Sequence, residues 1–247
     1  MIAAARPLVP LAPSTMFGAI DQVLRDRDGI LARIAAGKDL AAITRTMVAT
    51  IALAMAIVGA ALGLYRGGIQ ILYAGIKLPL VLLGTAALSA PALTAIGAAL
   101  GRRSRLASDL ALVVTALAFG ALLMASCAPL ILAAKAFDLS YHRMILLVVG
   151  LFTCAGLASL RVVVGAVARE HGPGGGAAIA GLCIVFALVG GQLAWALRPY
   201  LVRPRAPEVP FLRPVEDSLF DGITGAVRSA RGIYVREFAP LPGEGMP

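Results

Sequence analysis

Five long apolar runs, separated by short polar breaks that hold most of the mid-chain charge, decide what this chain can become. A run of about 20 apolar residues matches the hydrocarbon core of a bilayer, and only a helix satisfies its own backbone there. The runs fall at 47–65, 78–100, 109–134, 144–168 and 177–197. They predict an all-α, polytopic transmembrane helical bundle of about five spans. A β-barrel needs alternating apolar and polar segments of about 10 residues, which these unbroken runs lack.

Composition agrees with the runs. Of the 247 residues 60% are hydrophobic and 14% charged, against about 25% charged in soluble domains. Five spans leave two tails and four short loops, so the organisation reads as an N-terminal segment (1–46), a membrane bundle (47–197) and a Pro-rich tail (198–247). The 27 glycines and the many alanines allow helices to approach closely in lipid.

Within the first span, Asp39 offers a carboxylate to cap a helix that begins there. Arg66, Gly67 and Gly68 break the run, 69–76 is a short amphiphilic stretch, and Pro79 fits the first turn of the second span, with Pro91 kinking its middle. Arg102, Arg103 and Arg105 end it. Pro129 falls in the last turns of the third span, and Asp138, His142 and Arg143 form a tight connection to the fourth. So short a connection makes spans three and four antiparallel neighbours.

Both tails carry amphipathic patterns. In the N-terminal segment, read as cytoplasmic, Ser14 or Thr15 caps a helix whose Met16, Phe17, Ile20, Val23 and Leu24 share one face, continued by Ile30, Leu31 and Ile34. Such a helix lies on the membrane surface or on the bundle. In the C-terminal tail, prolines from Pro199 to Pro214 impose an extended chain. A helix at about 217–231 follows, with Leu219, Phe220 and Ile223 on its apolar face.

The net charge of +9 sits largely in arginines at span ends, where its first use is topological rather than nucleic-acid binding. The loop charges favour an N-terminus inside. Five spans then put the C-tail outside together with Arg198, Arg203, Arg205, Arg213, Arg228, Arg231 and Arg236, against the same rule. Either the C-tail is translocated despite its arginines, or one apolar segment re-enters without crossing and the span count is even.

Four ionisable residues fall within the runs. Lys77, Asp109 and Lys135 lie near span ends, where lysine snorkels and aspartate caps. Arg161 falls two-thirds along the fourth run; it needs a partner if it is deep, or marks the interface if the span ends at Leu160. Cys127, Cys154 and Cys183 lack metal spacing and read as small buried hydrophobes. Thr85, Ser89, Thr94, Thr115 and Gln192 are candidates for interhelical hydrogen bonds. His171 beside Glu170 is no metal motif, and the glycines after it lack the residues of a phosphate loop. No catalytic, cofactor or metal site is expected, and the chain is read as non-enzymatic.

Trp195 and Tyr200 stand where an interfacial aromatic belt belongs, Arg198 can meet headgroups or helix-terminal carbonyls, and Pro199 stops the last helix. With Phe211, Arg213, Leu219, Phe220 and Ile223 they form a candidate partner-docking segment.

The stretch GIQILYAGIKLPLVLLGTAALSAPA (68–92), WALRPYLVRP (195–204) and FLRP (211–214) resembles bacterial multi-pass membrane proteins that are loosely similar to the five-span Yip-domain family. The resemblance implies a non-enzymatic five-helix protein of the bacterial inner (cytoplasmic) membrane that organises other membrane components. The expected partners are the lipid bilayer and either protein subunits or further copies of the chain. The competing expectation is a small oligomeric channel or transporter with spans two and three lining the path.

Overall fold

The computed structural model describes residues 16–99, 105–139, 141–170, 175–197, 200 and 211–212. The chain divides into two units, 1–213 and 214–247, and all described residues belong to the first. Among them there are only helices: α1 (Met16–Arg25), α2 (Arg27–Ala35), α3 (Leu40–Gly63), α4 (Gln70–Ala99), α5 (Leu106–Ser126), α6 (Ala128–Ala136), α7 (Tyr141–Glu170) and α8 (Gly175–Ala196). Four segments are long and apolar enough to cross a membrane: α3, α4, α5 with α6, and α7. The apolar part of α8, Ile179–Ala194, is shorter. The expected fifth run is helical, within the 22 residues of α8.

Helix α3 packs against α4 and α5, while α4 also packs against α8, and α5 against α7. The closest approach is between α3 and α4. Gly59 and Gly63 are four residues apart on one face of α3, and a Cβ at either would strike the backbone of α4 at Gln70, Ile71, Ala74 and Gly75. Small residues at this spacing let helix backbones touch, so dispersion and packing replace the hydrophobic drive that lipid cannot supply.

Polar contacts fix the register of the bundle at both ends. At the end where α3 and α5 begin, Thr94 Oγ1 donates to Asp109 Oδ2 at 2.8 Å, tying α4 to α5. At the opposite end Lys135 Nζ donates to the carbonyl of Leu64, a group the end of a helix leaves open. Tyr65 donates from its hydroxyl to the Leu139 carbonyl at 3.2 Å.

The N-terminal helices lie on the bundle. Val23, Ile30, Leu31 and Ile34 are buried, α1 packs against α3 and α5, and α2 packs against α5. The Arg27 guanidinium lies 5.5 Å from the centre of the Phe119 ring, a cation–π contact. Leu24, expected on the apolar face, is instead exposed, because α1 ends at Arg25 and α2 restarts after Asp26. Asp26 begins the second helix, its carboxylate accepting from the Gly29 N–H at 3.2 Å.

Several expected boundaries move. Asp39 precedes α3 but does not cap it with its side chain: its backbone is left-handed at φ 55°, and its carboxylate accepts from Arg33 at 3.3 Å. Aspartate tolerates that conformation better than most residues. Helix α4 starts at Gln70, so 69–76 belongs mostly to it and Pro79 lies inside the helix rather than in its first turn. The third run splits at Cys127, because Pro129 has no N–H to give Ala125 and the helix restarts with that proline in its first turn. The expected connection after α6 shrinks to the residues around Asp138 at φ 50°, and His142 and Arg143 join α7. Ser14, Thr15 and the tail helix at 217–231 lie outside the described residues.

Candidate functional site

A cleft of about 840 Å³ opens among α4, α5, α7 and α8. Its walls carry Leu78 and Val81 from α4, Leu117 from α5, Phe152 from α7 and Phe186 from α8, with Tyr200 after α8. Among the described residues no Asp, Glu, Lys, Arg or His lines it. Its hydroxyls are turned away from the empty space. Thr85 donates to the Val81 carbonyl at 2.7 Å, Thr153 to Val149 at 2.8 Å and Ser159 to Ala155 at 3.0 Å. Each serves a carbonyl one turn back on its own helix, which leaves methyl and methylene groups facing inward.

Glycine holds the cleft open. Gly156, Gly190 and Gly191 line it, and a Cβ on Gly156 would meet no atom within 4 Å. The opening lies between α7 and α8, which touch only sparingly. Its edges are exposed residues, Val149 and Leu157 on α7 and Ala187 on α8. Only 22% of the apolar window of α7 is buried, against 56% for α3.

At one end of the cleft the chain after α8 folds back on the start of α4. Tyr200 donates from its hydroxyl to the Ala194 carbonyl at 2.8 Å, and its own carbonyl accepts from Gln70 Nε2 at 2.9 Å. Burial pushes the Tyr200 phenol well above its ordinary pKa of 10.0, since a phenolate loses its hydration there. Phe211 packs edge-on against Tyr73 with ring centres 5.0 Å apart, and the Lys77 ammonium lies 4.9 Å from the centre of the Phe211 ring.

The structure thus brings together Lys77 and Phe211, which the sequence had assigned to separate roles. Lys77 does not snorkel to water: it is fully buried, with the Phe211 ring over its ammonium. Asp109 is likewise fully buried, its carboxylate turned inward to Thr94 instead of capping α5. Arg161 is separate from both. The helix does not end at Leu160; α7 continues nine residues beyond Arg161, about 13 Å, and the side chain is exposed on the outer face. Trp195 lies in the last turn of α8. Arg198, Pro199, Arg213, Leu219, Phe220 and Ile223 lie outside the described residues.

Cys183 lines the cleft and Cys154 is exposed, so neither is the buried hydrophobe expected of it. In both cases α7 and α8 are too loosely packed to cover the thiol. Sequence reasoning passed over the cleft. The available signals were the adjacent Gly190 and Gly191 in an apolar run and the Gly59/Gly63 spacing. Among the described residues no three His, Cys, Asp or Glu side chains gather as a metal site requires.

No family model, curated protein or solved structure matches the chain.

Proposed function

We propose that this is a non-enzymatic integral membrane protein acting as a scaffold or accessory subunit of a larger complex in a bacterial cytoplasmic membrane, with α8 as a fifth crossing. The observation that carries the reading is the lining of the cleft, in which the ionisable side chains among the described residues are the Tyr200 phenol and the Cys183 thiol. An ion path or a general acid–base pair needs polar groups facing the space where substrate sits. Here the buried hydroxyls serve carbonyls of their own helices, while Asp109 and Gln70 tie one element to another. The likeness to five-span Yip-domain proteins belongs to the same proposal.

Purification in mild detergent at native expression level, with mass spectrometry of what co-elutes, tests it. A defined partner in stoichiometric amount is the expected result. A clean monomer or homo-oligomer overturns the accessory role. The complete burial of Lys77 and Asp109 in apolar helices favours a second reading, a small oligomeric transporter. That reading requires flux in proteoliposomes that disappears on changing Lys77 or Arg161.

A further inference from the structure

We infer that the cleft among α4, α5, α7 and α8 is a lipid site. It takes one hydrocarbon chain of a membrane phospholipid, with the anionic headgroup at the Tyr200 end.

The dimensions select a chain over a helix. The cleft wall on α8 runs from Cys183 to Ala194, twelve residues whose ends stand about 16 Å apart. That is close to half of a hydrocarbon core of about 30 Å, the depth of one leaflet. A volume of 840 Å³ over about 16 Å leaves a mean cross-section of about 50 Å². A helix with its side chains is about 10–12 Å across and occupies roughly 80–110 Å², so a partner's transmembrane helix does not fit without prising α7 from α8. A flexible alkyl chain does.

Chemistry agrees with size. Water gains nothing from walls whose hydroxyls are already committed to backbone carbonyls, because a stable buried water needs two to four polar partners. Access is sideways, past Val149, Leu157 and Ala187, so a bilayer lipid reaches the cleft without leaving the membrane.

The rim sets the headgroup. The cleft end at Tyr200 is where α3 and α6 finish and α4 and α7 begin. With the buried Lys77 set aside, the charged residues described at that end are Arg66, Lys135, Asp138 and Arg143, three basic and one acidic. This excess of positive charge favours a phosphate headgroup of net negative charge over a zwitterionic one.

Native mass spectrometry of the delipidated full chain in detergent, titrated with phosphatidylglycerol or phosphatidylcholine, is the test. The expected result is one phosphatidylglycerol retained per chain, at least tenfold more readily than phosphatidylcholine. Gly156→Phe places a ring in open cleft space and should reduce retention of both lipids tenfold or more. Leu53→Phe, on an exposed face of α3 away from the cleft, should not. Ala187→Leu narrows the mouth from the other side and serves if Gly156→Phe fails to fold. Bound phosphatidylglycerol should also slow maleimide labelling of Cys183 but not of exposed Cys154.

Retention unchanged in both cleft variants overturns the site, and equal retention of the two lipids overturns the headgroup assignment. Cys183 shielded only in oligomers that retain no lipid would make the cleft a contact between copies and likewise overturn it. The site does not depend on the accessory role, since loss of lipid leaves partner co-purification as an independent readout.

Discussion

Replacing Gly63 by alanine should weaken the α3–α4 pair by an amount that follows from the backbone geometry. The new Cβ would stand 2.5 Å from Ile71 Cα and 2.6 Å from the Gln70 carbonyl oxygen, whereas ordinary contact begins at 3.4 Å. The obstructing atoms are backbone, so no rotamer change relieves them, and the helices must part locally by about 0.9 Å. A gap of that size forfeits a quarter to a half of each dispersion contact along the seam, and overpacking typically costs about 1–3 kcal/mol. Alanine's better helix propensity returns up to about 1 kcal/mol. The net expectation is a loss of about 1–2 kcal/mol, or roughly a five- to thirtyfold shift in the unfolding equilibrium. Reversible unfolding by sodium dodecyl sulfate in mixed micelles, followed by circular dichroism, measures it. Gly150→Ala on α7 is the control, because a Cβ there meets nothing within 4 Å; it should be neutral or slightly stabilising. Equal stability of the two variants would refute the backbone contact. Gly59→Ala should resemble Gly63→Ala, and the double variant should lose less than the sum, since both act on one seam.

Thr94→Val removes the donor to a fully buried carboxylate and should cost about 1.5–3 kcal/mol; adding Asp109→Leu should restore part of it, and a double-mutant cycle reads the coupling. Lys135→Met leaves the Leu64 carbonyl without its ammonium donor and should cost about 1–2 kcal/mol in the same assay. Tyr200 has a folded-state pKa above the unfolded value of 10.0, so the stability its neutral phenol supplies is complete below about pH 10 and is lost as pH rises beyond it. Wild type should therefore lose more stability above pH 10 than Tyr200→Phe does, and phenolate absorbance should show one tyrosine that ionises only on unfolding.

Much of this architecture was legible because a bilayer reads sequence crudely. Unbroken apolar length specified the spans, and the i, i+1, i+4 spacing of Ile30, Leu31 and Ile34 specified a buried face. Boundaries were harder. Pro79 looks like a helix start because proline is comfortable there, yet Gln70 is anchored by Tyr200 and Gly63 accepts the first turn of α4, so the helix begins nine residues earlier. Asp39 satisfies the composition rule for a cap, but its backbone is left-handed and Arg33 claims the carboxylate. Lys77 and Asp109 were expected near span ends; both side chains are buried, Asp109 against Thr94 and Lys77 beneath the Phe211 ring, and neither contact is local in sequence. The cleft is a property of four helices at once, and no local pattern encodes the space they fail to fill.

The uneven burial of the helices also bears on how the protein is made. Helices α3, α4 and α5 hold one another through the glycine seam and the Thr94–Asp109 bond, and all three leave the ribosome before α7 is complete. They can settle into native contacts while the rest is still being translated. Helix α7 then joins a finished surface, and α8 closes on α4 last, bringing Tyr200 to Gln70. A ribosome stalled after α6 should thus carry a protease-resistant intermediate, with the cleft the last feature to form.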